Sequence, residues 1–227
     1  MLELGLLLFP NLTQLDLTGP FDVLARLPES RVHLVWKSTE VVTSDRGLAL
    51  TPTTSFAECP PLDVVLVPGG FGVQELLLDG ETLAFLRRQA ASAQWVTAVC
   101  TGSLVLGAAG LLDGFQATTH WAYTDLLTLF GAIATPGRVV VDRNRITGGG
   151  VTAGIDAALV IAAALFDERV AKEIQLNIEY APEPPFRCGH PDTADPDVLR
   201  DVRAALAPLI AERRAIVTRA AANVPTG

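Results

Sequence analysis

Short apolar runs rich in β-branched residues alternate with runs of helical periodicity along most of the chain, and this alternation restricts the possible folds more than any other feature. LELGLLLF, RVHLVWK, LDVVLVPGG and WVTAV are typical of strands, whereas DLTGPFDVLARL and ETLAFLRRQAASA have helical spacing. The run at 64–67 is apolar throughout, which suits a parallel sheet covered on both faces. We therefore expect a doubly wound α/β protein, a three-layer sandwich with a mainly parallel sheet flanked by helices.

The domain organisation follows from the length of the chain and from its one long irregular segment. A chain of 227 residues is large enough to bury a single core, so we expect one domain over 1–227. A proline-rich strap at 181–196 precedes a helical segment at 197–222, in which Pro208 should kink or split the helix. The strap is interpreted as a surface connection, with a lid or partner contact as the alternative. The Arg-rich end of the last helix is expected to be a solvated face.

Composition and cysteine usage exclude several classes of protein. The chain has 17 basic and 25 acidic residues, a net charge of −8 and no basic block, so a nucleic-acid partner is not expected. The first ten residues are too short an apolar run for a signal or a membrane span and lack a basic leader, which favours a cytoplasmic protein. The three cysteines, an odd number without a CxxC pair, argue against disulfides and against a zinc site.

Ligands of open α/β sheets bind at the carboxyl ends of the strands, where strands lead into helices. Four such junctions carry unusual residues, namely FPNLTQLDLTGPFD, VPGGFG, VCTGS and TGGGVTAG. We expect all four to face one pocket.

The junction VCTGS has the pattern of a nucleophile elbow, a sharp strand-to-helix turn that projects one side chain. Cys100 would occupy the turn, and Gly102 would relieve crowding beside it. A helix N-terminus lowers a thiol pKa from about 8.5 to roughly 3.5–7.5, which predicts a thiolate at neutral pH. The alternative is a cysteine that only fills the core. Cys59 and Cys188 have no neighbouring base or helix start and are expected to be inert.

A cysteine nucleophile also needs a proton donor, and Asp16 is the best candidate. A carboxyl group held near the thiol in an apolar pocket could have a raised pKa and relay a proton. The competing interpretation is that Asp16 only caps a helix.

Together these segments resemble a known group of proteins. QLDLTGPFDVLA, VPGGFG, VCTGSLVLGAAGLLDG, ATTHWA, TGGGVTAGIDAAL and YAPEPPFRCGHPDTA are similar to the PfpI-like superfamily with its glutamine-amidotransferase-type, flavodoxin-like sandwich, and most closely to its isonitrile hydratase branch. The resemblance runs from about residue 3 to about residue 220. It implies a nucleophile at Cys100, an acidic partner at Asp16 and a role for Thr101 in holding intermediates. It also implies a homodimer without metal or other cofactor.

The activity implied by the resemblance is hydration of an isonitrile to the N-substituted formamide through a thioimidate on Cys100, with a small-molecule isonitrile and water as the only partners. The backbone amides of Gly70 and Thr101 would stabilise developing charge. The residues expected to contact the substrate are Gly69, Gly70, His120, Trp121, Gly150 and Val151.

Other branches of the superfamily supply alternatives. A protease would carry histidine after the cysteine, where this chain has Thr101, and no histidine begins the His-x-Glu pair of the glutaminases. A glyoxalase or deglycase remains possible if His120 reaches the pocket; the alternative is a hydrogen-bonded structural histidine. A non-enzymatic sensor related to transcription regulators would need a helix-turn-helix region, and the chain is expected to end about where that region would begin.

Overall fold

The computed structural model describes residues 1–224. Its strands are β1 Leu2–Leu7, β2 Ser30–Trp36, β3 Val42–Thr43, β4 Ala49–Leu50, β5 Thr54–Ser55, β6 Val64–Val67, β7 Trp95–Val99, β8 Gln116–Ala117, β9 Ile133–Ala134, β10 Val139–Asp142 and β11 Arg145–Gly148. Its helices are α1 Gln14–Leu24, α2 Val73–Leu76, α3 Gly80–Ala90, α4 Gly102–Ala108, a 3₁₀ helix Trp121–Phe130, α5 Ala153–Leu165, α6 Glu168–Asn177 and α7 Pro196–Ala221.

The central sheet has seven strands in the order β10-β11-β7-β6-β1-β2-β5. Every neighbouring pair is parallel except the hairpin of β10 and β11. The chain begins in the middle of the sheet at β1, adds β2 on one side and then crosses to β6 on the other, so the sheet is doubly wound. The predicted mainly parallel sandwich is confirmed.

Helices cover the sheet as two separate layers. Helices α1, α5 and α6 pack together, while α4 packs against α2, α3, the 3₁₀ helix and α7. All four residues of β6 are buried, as expected for an uninterrupted apolar strand between two helical layers. Burial of such side chains supplies most of the driving force for folding, at about 25 cal/mol per Å² of apolar surface.

The strand-to-helix turn after β7 has the strained geometry that the sequence predicted. Cys100 has a φ of 55°, a left-handed conformation that costs a non-glycine residue on the order of 1–3 kcal/mol. Its N–H donates to the carbonyl oxygens of Gly148 and Gly149 at 3.0 and 2.8 Å, which ties the turn to the end of β11. Gly102 is needed because a Cβ there would lie 2.0 Å from the carbonyl oxygen of Val67.

The last helix differs from its prediction. Helix α7 runs as one element through Pro208, so the expected split is wrong. Proline removes one backbone hydrogen bond, but packing of α7 against the 3₁₀ helix and α4 holds the flanking turns in place. Among the helices of residues 1–224, none is both long and apolar enough to cross a membrane.

Replacing Gly102 by alanine tests how closely the elbow is packed. We expect Gly102→Ala to lower the free energy of unfolding by about 1–3 kcal/mol or more, because the new methyl group would overlap a backbone carbonyl that cannot rotate away. Chemical denaturation of the purified variant measures this loss. Gly80→Ala is the matched control, since a Cβ at Gly80 meets no atom within 4 Å and should change stability by less than about 0.5 kcal/mol. Equal effects of the two substitutions would contradict the packing argument.

Candidate active site

A cavity of about 370 Å³ lies where the strand ends meet, and all four predicted junctions contribute to it. Its walls are formed by Thr13, Gln14, Asp45, Arg46, Gly70, Phe71, Cys100, Thr101, His120, Tyr123, Val151, Leu206, Leu209 and Arg213. The expectation that the junctions face one pocket is confirmed. The cavity is large enough for a small organic molecule.

Cys100 lies at the wall of this cavity with only 6% of its surface exposed. Burial raises the pKa of its thiol well above the ordinary value, and the negative charge of Asp16 raises it further. The backbone N–H of Thr101 and the positive charge of Arg213 both lower the pKa of the thiol, but the pKa stays well above the ordinary value. The predicted thiolate at neutral pH is therefore wrong. The low-polarity surroundings and the adjacent carboxyl group outweigh the start of the short helix α4.

Asp16 occupies the first turn of α1 and is completely buried. Thr13 is the N-cap residue of α1, so the interpretation of Asp16 as the helix cap is wrong. Oδ2 of Asp16 instead accepts a hydrogen bond of 2.9 Å from the backbone N–H of Gly69, and Oδ1 has no hydrogen-bond partner within residues 1–224. Burial raises the pKa of this carboxyl group to about 7. Asp16 does not line the cavity itself and lies behind Cys100, whose thiol it contacts.

Asp16 and Cys100 form one coupled acid–base pair. Interaction with the thiol lowers the pKa of Asp16, and ionised Asp16 raises the pKa of the thiol. Two such groups titrate as a pair, with the first proton leaving near pH 7 and the second well above the ordinary thiol range. Above pH 7 the pair keeps a single proton, which can pass between sulfur and carboxylate at no change in total charge.

Gly69 and Gly70 tie the pair to the neighbouring strand. The N–H of Gly70, whose φ is 138°, donates to Oγ1 of Thr101 at 3.1 Å. The Gly70 amide is therefore already engaged by Thr101 and is not free to stabilise developing charge, contrary to the sequence-based expectation. A Cβ on Gly69 would lie 2.7 Å from the Thr101 nitrogen and 2.8 Å from Oδ2 of Asp16. The absence of a side chain at Gly69 thus permits Asp16 and Thr101 to approach its backbone closely. Gly69 does not itself line the cavity.

The remaining predicted contact residues divide into two groups. His120 and Val151 line the cavity, and Gly150 lies behind His120, since a Cβ there would be 3.4 Å from Cδ2 of the imidazole. Trp121 is not part of the cavity wall. It borders a separate depression of about 110 Å³ with Cys188 and other residues of the strap and α7, so its predicted substrate contact is not supported.

His120 reaches the cavity but is already engaged by the backbone. Its Nδ1 accepts a hydrogen bond of 3.3 Å from the N–H of Ala122 and so caps the 3₁₀ helix. Burial, assisted by the positive charge of Arg213, lowers the pKa of the imidazole to about 4. His120 is accordingly neutral near pH 7, with one ring nitrogen committed to the cap.

Helix α7 contributes to the cavity in a way that the sequence did not predict. Its Arg-rich end was expected to be solvated, and Arg214 and Arg219 are indeed exposed, but Arg213 is only 2% exposed and lines the cavity. Helical periodicity could have shown this, because Arg213 shares one face of α7 with the buried Val217 and Ala220.

Within residues 1–224, no cluster of three histidine, cysteine, aspartate or glutamate side chains is arranged to hold a metal ion. A neutral thiol on a strained turn with a carboxyl group behind it defines a cysteine-centred site in a three-layer α/β sandwich. The chain belongs to the DJ-1/PfpI family, whose model matches residues 4–164.

Comparisons with individual proteins agree with this membership. The chain is 58% identical over 223 residues to an isonitrile hydratase from Pseudomonas putida, covering 98% of both chains. It is 34% identical over 165 residues to the HTH-type transcriptional regulator GbdR of Pseudomonas aeruginosa, a match that covers 69% of this chain and 45% of the regulator. The crystal structure of a THiJ/PfpI family protein from Pseudomonas syringae superposes with a TM-score of 0.93 and 45% identity, covering 95% of this chain and 90% of that one.

The raised pKa of Asp16 predicts a pH-dependent cost to stability. The unfolded chain releases this proton near pH 3.8 and the folded chain near pH 7, so folding loses stability as the pH rises between these values. We expect Asp16→Asn to have nearly the same free energy of unfolding as the parent near pH 4. At pH 7.5 the variant should be more stable than the parent by roughly 2–4 kcal/mol. Urea denaturation of both proteins across this range measures the difference. A difference that does not change with pH would contradict the raised pKa.

Proposed function

We propose that this protein is an isonitrile hydratase, a hydro-lyase that converts R–N≡C and water to the N-substituted formamide. The observation that carries the proposal is the Cys100 thiol at the cavity wall with the Asp16 carboxyl group buried behind it. The 58% identity to the Pseudomonas putida isonitrile hydratase supports it along almost the whole chain. Cys100, Asp16 and Thr101 are the proposed catalytic residues.

The first step adds the thiol across the terminal carbon of the isonitrile. Ionised Asp16 accepts the thiol proton, the resulting thiolate attacks that carbon, and the same proton is returned to the carbon. The product is a thioimidate, Cys100–S–CH=N–R, in which one C–S and one C–H bond have formed and the S–H bond has broken. Because the proton moves within the coupled pair, no free thiolate is needed in the resting protein.

The second step consumes water and restores the cysteine. Water adds to the CH=N bond and gives a tetrahedral adduct that carries S, OH and NHR on one carbon. Loss of the hydroxyl proton and cleavage of the C–S bond release R–NH–CHO, and the sulfur regains its proton through Asp16. The Thr101 N–H is the amide proposed to stabilise charge on the sulfur, because it already lowers the pKa of the thiol.

The proposal extends to the setting in which the reaction occurs. A small isonitrile and water are the proposed reactants, and the acidic chain is proposed to act in the cytoplasm as a homodimer without nucleic-acid or membrane partners.

The alternative activities are less well supported by the site. A glyoxalase or deglycase would use His120 beside Cys100, but Nδ1 of His120 caps the 3₁₀ helix and its pKa is about 4. A ligand-sensing role is favoured by partial matches to transcriptional regulators such as GbdR.

Removal of the thiol is the direct test of the nucleophile. We expect Cys100→Ala to reduce the rate of formamide production from cyclohexyl isonitrile by at least about 10³-fold, because the covalent route is lost. The formamide is measured by chromatography, and the thioimidate by intact-protein mass spectrometry after rapid quenching. Unchanged hydration by Cys100→Ala would exclude the nucleophilic role.

Two other cysteines provide matched controls for this experiment. Cys59 and Cys188 lie outside the cavity wall, and burial raises the pKa of Cys59 to about 11. Cys59→Ser and Cys188→Ser should therefore retain the parent activity. Turnover of methylglyoxal without turnover of any isonitrile would favour the glyoxalase alternative.

The proton relay predicts a specific pH profile. Because ionised Asp16 accepts the thiol proton, kcat/KM should rise with pH and level off above about pH 7. Asp16→Asn should lower kcat/KM about 10²–10⁴-fold and remove the rising limb of the profile. Steady-state kinetics between pH 5 and pH 9 are the measurement. If Asp16→Asn kept full activity, or if its kcat/KM still rose with pH as in the parent, Asp16 would have only a structural role.

A further inference from the structure

The buried guanidinium of Arg213 is a charge in the cavity that the proposed reaction does not use. Its Nη2 donates to the carbonyl oxygen of Gly70 at 3.0 Å, and its Cζ lies 4.6 Å from the ring centre of Tyr123. Nε is buried without a hydrogen-bond partner in the described part of the chain. No carboxylate of residues 1–224 lies within the 4.0 Å of an ion pair with Arg213, whereas the next residue, Arg214, pairs with Asp125.

A buried cation without a carboxylate is unusual, because removal of the charge from water is costly unless a counter-charge replaces the solvent. One carbonyl and one aromatic ring compensate only part of that cost. The guanidinium has five N–H donors in a planar fork that matches a carboxylate. An anionic ligand would supply the missing partner.

The other charged groups at the cavity do not provide this partner. The Asp45 carboxylate also lines the cavity, but its Oδ2 accepts from the hydroxyl of Thr13 at 2.8 Å, and it forms no ion pair with Arg213. Arg46 is exposed and adds a second positive charge to the wall. The wall is otherwise mostly apolar, through Phe71, Val151 and Leu206 among others.

Arg213 also lies close to the reacting thiol. The Gly70 peptide links the two, because its carbonyl accepts from Arg213 and its N–H donates to Thr101, which follows Cys100. The positive charge of Arg213 accordingly lowers the pKa of the Cys100 thiol. A ligand that reaches both groups must be short.

We propose that Arg213 binds a carboxylate of the substrate, so that the preferred isonitriles are short-chain ω-isocyano carboxylates. This inference rests on the proposed hydratase activity and specifies its substrate class. The isonitrile carbon meets Cys100 while the carboxylate pairs with the guanidinium. The apolar wall holds the short chain between them.

The test compares acids with their uncharged methyl esters. The probes are isocyanoacetate, 3-isocyanopropanoate and 4-isocyanobutanoate, each with its methyl ester. The wild-type protein should favour at least one acid over its ester by about 10–100-fold in kcat/KM, as expected for charge-assisted hydrogen bonds. Arg213→Met should remove this preference and Arg213→Lys should keep part of it. Arg214→Gln is the matched control on the same helix and should keep all of it.

Each result decides for or against the proposal. Equal kcat/KM for every acid and its ester in the wild type would overturn it. An equal loss of kcat/KM for acids and esters in Arg213→Met would also overturn the proposal, because Arg213 would then act on Cys100 or on the fold. Ester turnover by the same variant monitors folding, so a selective loss of the acids cannot come from misfolding.

Binding of the reaction products separates this inference from the proposed activity. If no isonitrile is hydrated, the hydratase proposal has failed, and calorimetric titration with N-formylglycine and its methyl ester still tests Arg213. The acid should bind at least about 10-fold more tightly than the ester to the wild type, and equally to Arg213→Met. Equal binding of the acid and the ester to the wild type would overturn the carboxylate site.

Discussion

The burial of the Asp16–Cys100 pair, between the first turn of α1 and the end of β7, is the constraint on which the site depends. Burial raises the pKa of both groups, so near neutral pH the pair retains a proton and the thiol is neutral. A helix start alone would have produced an exposed and reactive thiolate. The structure instead holds a buried thiol whose pKa is raised by desolvation and by the neighbouring Asp16 carboxyl group.

Backbone geometry maintains that burial. Cys100 reaches the cavity wall through a left-handed turn, and the turn is possible because Gly102 lies against the carbonyl of Val67. Gly69 allows the Asp16 carboxyl group to approach the residue after the cysteine. The ends of β6, β7 and β11 thus meet through backbone contacts and not through long side chains. Such contacts leave little room for adjustment, so the positions of the thiol and the carboxyl group are closely defined.

Much of this arrangement could be predicted from the sequence. The strand pattern predicted the doubly wound sheet, and the VCTGS junction predicted the elbow, because both depend on local backbone preferences and on short-range apolar periodicity. The protonation of Cys100 was predicted wrongly, since a pKa depends on the solvent exclusion produced by the whole fold. Trp121 is predicted to contact the substrate, but at the start of the 3₁₀ helix it borders another depression.

The sequence by itself determined the class of fold, the residue at the elbow and the absence of a histidine after it, because these follow from the order of residues along short segments. Only the tertiary structure decided that Asp16 is a buried partner of the thiol and not a helix cap, and that Arg213 is part of the cavity. Residues 16, 100 and 213 come from distant parts of the chain. Their common environment arises when the sheet and α7 close around one space, and exclusion of water from that space sets their charges.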